Sequence, residues 1–106
     1  MGLVDFYSLK PTEKRRITHD FSSKMIEGVY ISSCTASAVV RKTGASATTT
    51  VLGGATPTVT IDKQMNTVSV DFTAQAGTSG TWYEVTFTAV LSSTSILIDK
   101  IRVFIE

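Results

Sequence analysis

Residues 77–106, GTSGTWYEVTFTAVLSSTSILIDKIRVFIE, decide how the rest of the chain must be read. Tyr83, Val85, Phe87, Ala89 and Leu91 fall on every second position, with Trp82, Glu84, Thr86 and Thr88 between them. Successive side chains of a strand point to opposite faces, so this spacing gives one apolar row and one mostly polar row, a half-buried strand. Ser92, Ser93, Thr94 and Ser95 have turn character, and a second apolar run ends in Ile101, Val103 and Ile105. Together they predict a long β-hairpin. Its second arm carries a conflict of phase. Stepping back two from Ile101 puts Asp99 inward, whereas Ile96 and Ile98 share the parity of Lys100, Arg102 and Phe104. A bulge near Asp99 and Lys100 would re-aim the strand and turn both apolar sets inward. The other reading is that Ile96 and Ile98 face a partner. We expect the bulge.

Toward the N-terminus the pattern repeats in shorter pieces. Ile17, His19 and Phe21 alternate with Thr18 and Asp20; residues 29–33 form a strand with Ile31 inward; Ala36, Ala38 and Val40 form a small-residue strand. Residues 46–52 are Thr-rich and β-branched, and read as an edge strand ended by Gly53 and Gly54. Such an edge could pair with a foreign strand. Val59 and Ile61, then Val68, Val70 and Phe72, complete the set. Short strands at about ten-residue spacing with turn residues between them predict an all-β sandwich or barrel. Neither proline falls inside an expected central strand. No helical period is sustained.

A more particular cue lies at Tyr83. In immunoglobulin-like domains a tyrosine near the start of strand F fastens the preceding corner through its hydroxyl, two residues before an inward position that often holds Cys. Tyr83 occupies that place and Val85 the would-be Cys position, although the spacing from Gly80 to Tyr83 is one longer than usual. The Cys…Trp…Cys set of antibody domains is missing, which argues against an antibody-type or extracellular receptor domain. The expectation is a single immunoglobulin-like β-sandwich of about seven to eight short strands over residues 13–106, preceded by an arm over residues 1–12. Its core should hold Phe21, Ile31, Phe72, Tyr83, Val85, Phe87, Ile101 and Val103. Burying each contributes roughly 1.5–3 kcal/mol.

Composition bounds the function. A chain of 106 residues is one domain, able to bury roughly 60–70% of its unfolded surface without disulfide or metal. Its formal charge is +1, so no global field draws it to nucleic acid or an anionic membrane. The single cysteine, Cys34, makes no internal disulfide and fits a reducing compartment. No apolar run reaches the roughly 18 residues of a membrane span. The opening MGLVDFYSLKPTEKRR lacks the order of a signal peptide, and Phe6 stands where a myristoylation signal needs Ser or Thr. Synthesis in a cytoplasm is expected.

Candidate chemistry is sparse. His19 is the only histidine, and no motif ties a Ser, Asp or Cys to it. Asp5, Asp20, Asp62, Asp71 and Asp99 show no metal-ligand spacing. Cys34 has no nucleophile motif and reads as a small core side chain. Gly53 and Gly54 lack the helix and the Lys-Ser/Thr of a phosphate loop. Lys14, Arg15 and Arg16, with Lys10 nearby, form the one basic cluster; without interleaved stacking aromatics it argues against nucleic acid and for a solvated strand start or half of a protein contact. Neither an enzyme nor a cofactor is expected.

What remains is surface. Leu3, Val4, Phe6, Tyr7 and Leu9 make an apolar arm, unusual for a free terminus because termini fray unless tied down. It either packs on its own sandwich as an edge strand or lies on a neighbour. Trp82 has the opposite phase to the core row and either covers the end of its own sandwich or anchors a contact. With Arg15 and Arg16 these are the candidate interface residues. A carbohydrate- or surface-binding module would have to use Trp82, Tyr30 and the arm's aromatics.

KPTEK (10–14), DFS (20–22) and GVYISS (28–33), followed by GTSGTWYEVTFTA (77–89) and IRVFI (101–105), resemble small virion proteins of tailed bacteriophages. Residues 43–58 depart from that pattern. The resemblance implies an immunoglobulin-like accessory part of a virion, an adaptor joining tail to fibre or a head-decoration (cement) domain. It implies other virion proteins as partners, several copies in a symmetric assembly, no small-molecule substrate and no catalytic residue.

Overall fold

The computed structural model describes residues 6–106. In chain order these form β1 (Phe6–Leu9), β2 (Lys14–Asp20), β3 (Ile31–Val40), α1 (Thr48–Val51), β4 (Thr60–Asp62), β5 (Thr67–Thr73), β6 (Thr81–Leu91) and β7 (Ile96–Ile105), with single 3-10 turns at Ser22–Lys24 and Ala74–Ala76. The hairpin forms as its alternation requires. β6 and β7 pair antiparallel in unbroken register from Thr81 opposite Ile105 to Val90 opposite Ile96. β3 joins the free side of β6, and β1 lies parallel along the free side of β7, giving the order β1-β7-β6-β3. The second sheet is β2-β5-β4, antiparallel throughout.

The chain is therefore an all-β sandwich of seven strands. In immunoglobulin lettering, β2, β5 and β4 take the places of B, E and D, and β3, β6 and β7 those of C, F and G. The first strand runs beside the last one instead of joining the B side. The tyrosine corner is present: the Thr78 backbone N–H donates to the Tyr83 hydroxyl at 2.9 Å. Gly77 makes room for it, because a Cβ there would lie 2.5 Å from Ile105 Cδ1 and 3.1 Å from that hydroxyl.

All eight expected core residues are buried, and the two sheets meet through contacts such as Phe72 on Tyr83, edge to face at 5.7 Å. Three local expectations are corrected, and one of two readings of the arm is found. Residues 46–52 are not an edge strand: 48–51 form α1, because Ala47, Val51 and Leu52 are buried at spacings of four and five, which a one-sided strand cannot satisfy. Hence no Thr-rich edge is available there for strand addition. Residues 29–33 and 36–40 are not two strands; from Ile31 onward they make β3 alone, with a register shift between Ile31 and Ser33 that changes the inward parity from Ile31 to Ala36 and Ala38. The bulge belongs there. β7 has none at Asp99 and Lys100, so Ile96 and Ile98 stay outside, 60% and 59% exposed. The described part of the arm is strand β1 of the same sandwich, with Leu9 fully buried opposite Ile105.

Candidate protein-interaction face

Period-two alternation gives β6 and β7 an outer face as well as a core face. Trp82 lies opposite Phe104, Glu84 opposite Arg102, Thr86 opposite Lys100, Thr88 opposite Ile98 and Val90 opposite Ile96. β1 places Phe6 beside Arg102 on the same side. The outcome is a banded surface. At one end Trp82 tilts against Phe104 at 4.9 Å between ring centres and meets the edge of Phe6 at 6.1 Å. In the middle Glu84 is shared by Lys100 at 3.5 Å and Arg102 at 4.0 Å. At the other end stand Ile96 and Ile98. A solvated face of an antiparallel sheet is ordinarily polar. Here two apolar patches flank a charged belt.

The candidate interface residues separate. Phe6 and Trp82 come together, and Phe104 joins them; Phe104 was missing from the expected set because only the register reveals it as the cross-strand neighbour of Trp82. Leu9 belongs to the core. Tyr7 turns toward β2, where its hydroxyl donates to the Thr18 carbonyl at 3.3 Å and accepts from the Thr18 N–H at 3.1 Å. Arg15 lies 5.5 Å over the Tyr7 ring, and Arg16 pairs with Asp71 at 3.4 Å on the other sheet, so neither shares a face with Trp82. Leu3 and Val4 lie outside the described residues.

Beside Trp82, around the turn that follows β3, is an open groove of about 510 Å³ lined by Val40, Arg41, Lys42, Thr81 and Trp82. Two cations beside Val40 and Trp82 suit an anionic or mixed ligand surface. A second hollow, about 300 Å³, brings Lys14 and Asp71 among threonines, Leu52, Pro57 and Val70.

The densest polar cluster joins the sheets. His19 on β2 donates Nε2–H to Asp99 Oδ2 on β7 at 2.7 Å, and the Lys24 ammonium bonds Asp99 Oδ1. Burial pushes the Asp99 carboxyl up, but the bonds and charges of Lys24 and His19 outweigh it and hold the group below its usual range. The His19 ring also packs edge to face on Phe21 at 4.7 Å. This is a clasp with its donors turned onto one carboxylate. Burial raises the Cys34 thiol to about 11, so almost none of it is thiolate at neutral pH. Among the described residues no group of three His, Cys, Asp or Glu is placed to hold a metal, and no helix is long and apolar enough to cross a membrane.

Fold and face define a class, an all-β sandwich of two sheets with one apolar-banded outer face. Comparison with protein families, with characterised proteins and with solved structures finds no match.

Proposed function

We propose that the chain is a non-enzymatic structural component of a bacteriophage virion, an adaptor that binds other virion proteins in a symmetric assembly through the outer face of β1-β7-β6-β3. The observation that carries the binding role is the Phe6–Trp82–Phe104 cluster on the water side of a sheet whose other side already makes the core. Clustered aromatics outside the core are what interface anchors require, and truncating such a residue often costs about 2 kcal/mol of binding. The virion setting rests on the sequence resemblance. Tail-to-fibre attachment is the principal reading, with head decoration as the same face used on a different partner.

The test is occupancy in purified particles. Wild-type chain should be present in many copies, and the double variant Trp82→Ala, Phe104→Ala should be depleted at least about tenfold while its melting curve stays cooperative. Absence of the wild-type chain from particles, or unchanged occupancy of the variant, overturns the proposal. Binding of the purified domain to a glycan array, lost with Trp82, would favour a host-surface module instead.

A further inference from the structure

The ends of the sandwich differ in charge and in shape. β2, β4 and β6 finish, and β3, β5 and β7 begin, at one pole; β1, β3, β5 and β7 finish, and β2 and β6 begin, at the other. Toward the first pole stand Asp20, Glu27, Asp62 and Asp99 with Lys24, Lys63 and Lys100, and Asp99 is engaged by Lys24 and His19. At the second pole Lys10, Lys14, Arg15, Arg41 and Lys42 stand with Glu13 and Glu106, and among the described residues neither Arg41 nor Lys42, both exposed in the turn after β3, has a carboxylate within ion-pair reach. The first pole carries a slight excess of carboxylates and the second a clear excess of cations.

Each pole also shows apolar surface of matching form. At the first pole the Val29 N–H donates to the Ile26 carbonyl at 3.1 Å, closing a tight turn over Glu27 and Gly28, whose φ of +83° favours glycine. The turn makes a knob with Ile26 76% exposed next to Glu27, and Met65 and Tyr30 are exposed at the same pole. At the other pole the groove is lined by Val40 and Trp82 together with Arg41 and Lys42. An exposed aliphatic side chain followed by a carboxylate suits an indole beside two cations.

We propose that copies of this chain associate head to tail, the Ile26–Glu27 knob of one seated in the Arg41–Lys42–Trp82 groove of the next. The two surfaces differ, so the contact is heterologous and must close into a ring or grow into a filament. Opposite charges at the two ends steer the copies into register and set like poles against each other. The inference shares Trp82 with the proposed adaptor face but does not need the virion setting, and its test changes Glu27, Arg41 and Lys42 only.

Sedimentation velocity on the full chain tests it. For the wild type the average sedimentation coefficient should rise with concentration at low salt and fall as salt screens the poles. Glu27→Lys, and separately Arg41→Glu with Lys42→Glu, should each weaken association about a hundredfold or more, since each sets like charges together. Mixing the two variants at equal amounts should restore it, because each altered pole then meets its opposite. All three substituted residues are on exposed turns, so melting temperatures should stay near wild type. A wild type that is monomeric at low salt, association indifferent to both reversals, or a mixture that stays monomeric would each overturn the proposal.

Discussion

The two faces of β6 and β7 are made from alternate residues of the same strands, yet they obey opposite rules. Inside, Tyr83, Val85, Phe87, Ile101, Val103 and Ile105 are all buried, and the one charged member of the row, Asp99, is held by two donors. Outside, the charged belt of Glu84, Lys100 and Arg102 lies between an aromatic trio and a pair of isoleucines. Folding accounts for the inner row completely. It gives no reason for Trp82, Ile96 and Ile98, because threonine at those positions would serve an exposed strand as well. Side chains that the fold does not need, gathered on one face, are where contact with other proteins should be sought.

The largest effect should come from crossing the sheet at one strand. Phe87→Ala removes a fully buried ring and should cost about 3–5 kcal/mol, whereas Trp82→Ala on the opposite face should cost under about 1 kcal/mol. Chemical denaturation of the two variants measures the contrast, and similar losses would show that Trp82 serves its own fold after all. A middle effect is expected where the inner row meets the corner. Gly77→Ala drives a methyl against Ile105 and the Tyr83 hydroxyl at the base of the hairpin and against Val51 of α1. Overpacking of that kind should cost about 1–3 kcal/mol in urea unfolding. An unchanged midpoint would mean that Ile105 moves aside freely and that the corner is less tightly packed than the inner row.

Legibility followed the same division. The inner row could be read because a period of two maps directly onto one face, and Tyr83 announced the corner through a bond that a single residue specifies. Residues 48–51 misled because threonine favours strands, while the decisive signal, adjacent burial of Val51 and Leu52, depends on what lies on either side. The bulge was expected at Asp99 because an inward carboxylate is costly. Lys24 and His19, distant in sequence, remove that cost, and no local pattern reveals them. In β3 the signal was present as a change of parity between Ile31 and Ala36. The interface set mixed three surfaces, since Arg15 and Arg16, Leu9 and Trp82 can be told apart only once the pairing of β1 and β2 is known.

Asp99 gives a small effect and the sharpest one, because it is the point where the inner row stops being apolar. Its carboxyl titrates below the usual 3.8, so the stability it supplies is complete above that value and is lost as pH falls through the lower folded value. Asp99→Asn keeps the shape and removes the charge that Lys24 and His19 share. At neutral pH the variant should be less stable than wild type by about 1 kcal/mol. The difference should close as the pH drops below the ordinary carboxylate range, since protonated wild type and variant then both present a neutral group to the same donors. Paired urea titrations from neutral to strongly acidic pH follow that convergence. A gap that persists in acid would mean that Asp99 acts through shape and packing like the rest of its row, and that the clasp between the sheets is not electrostatic.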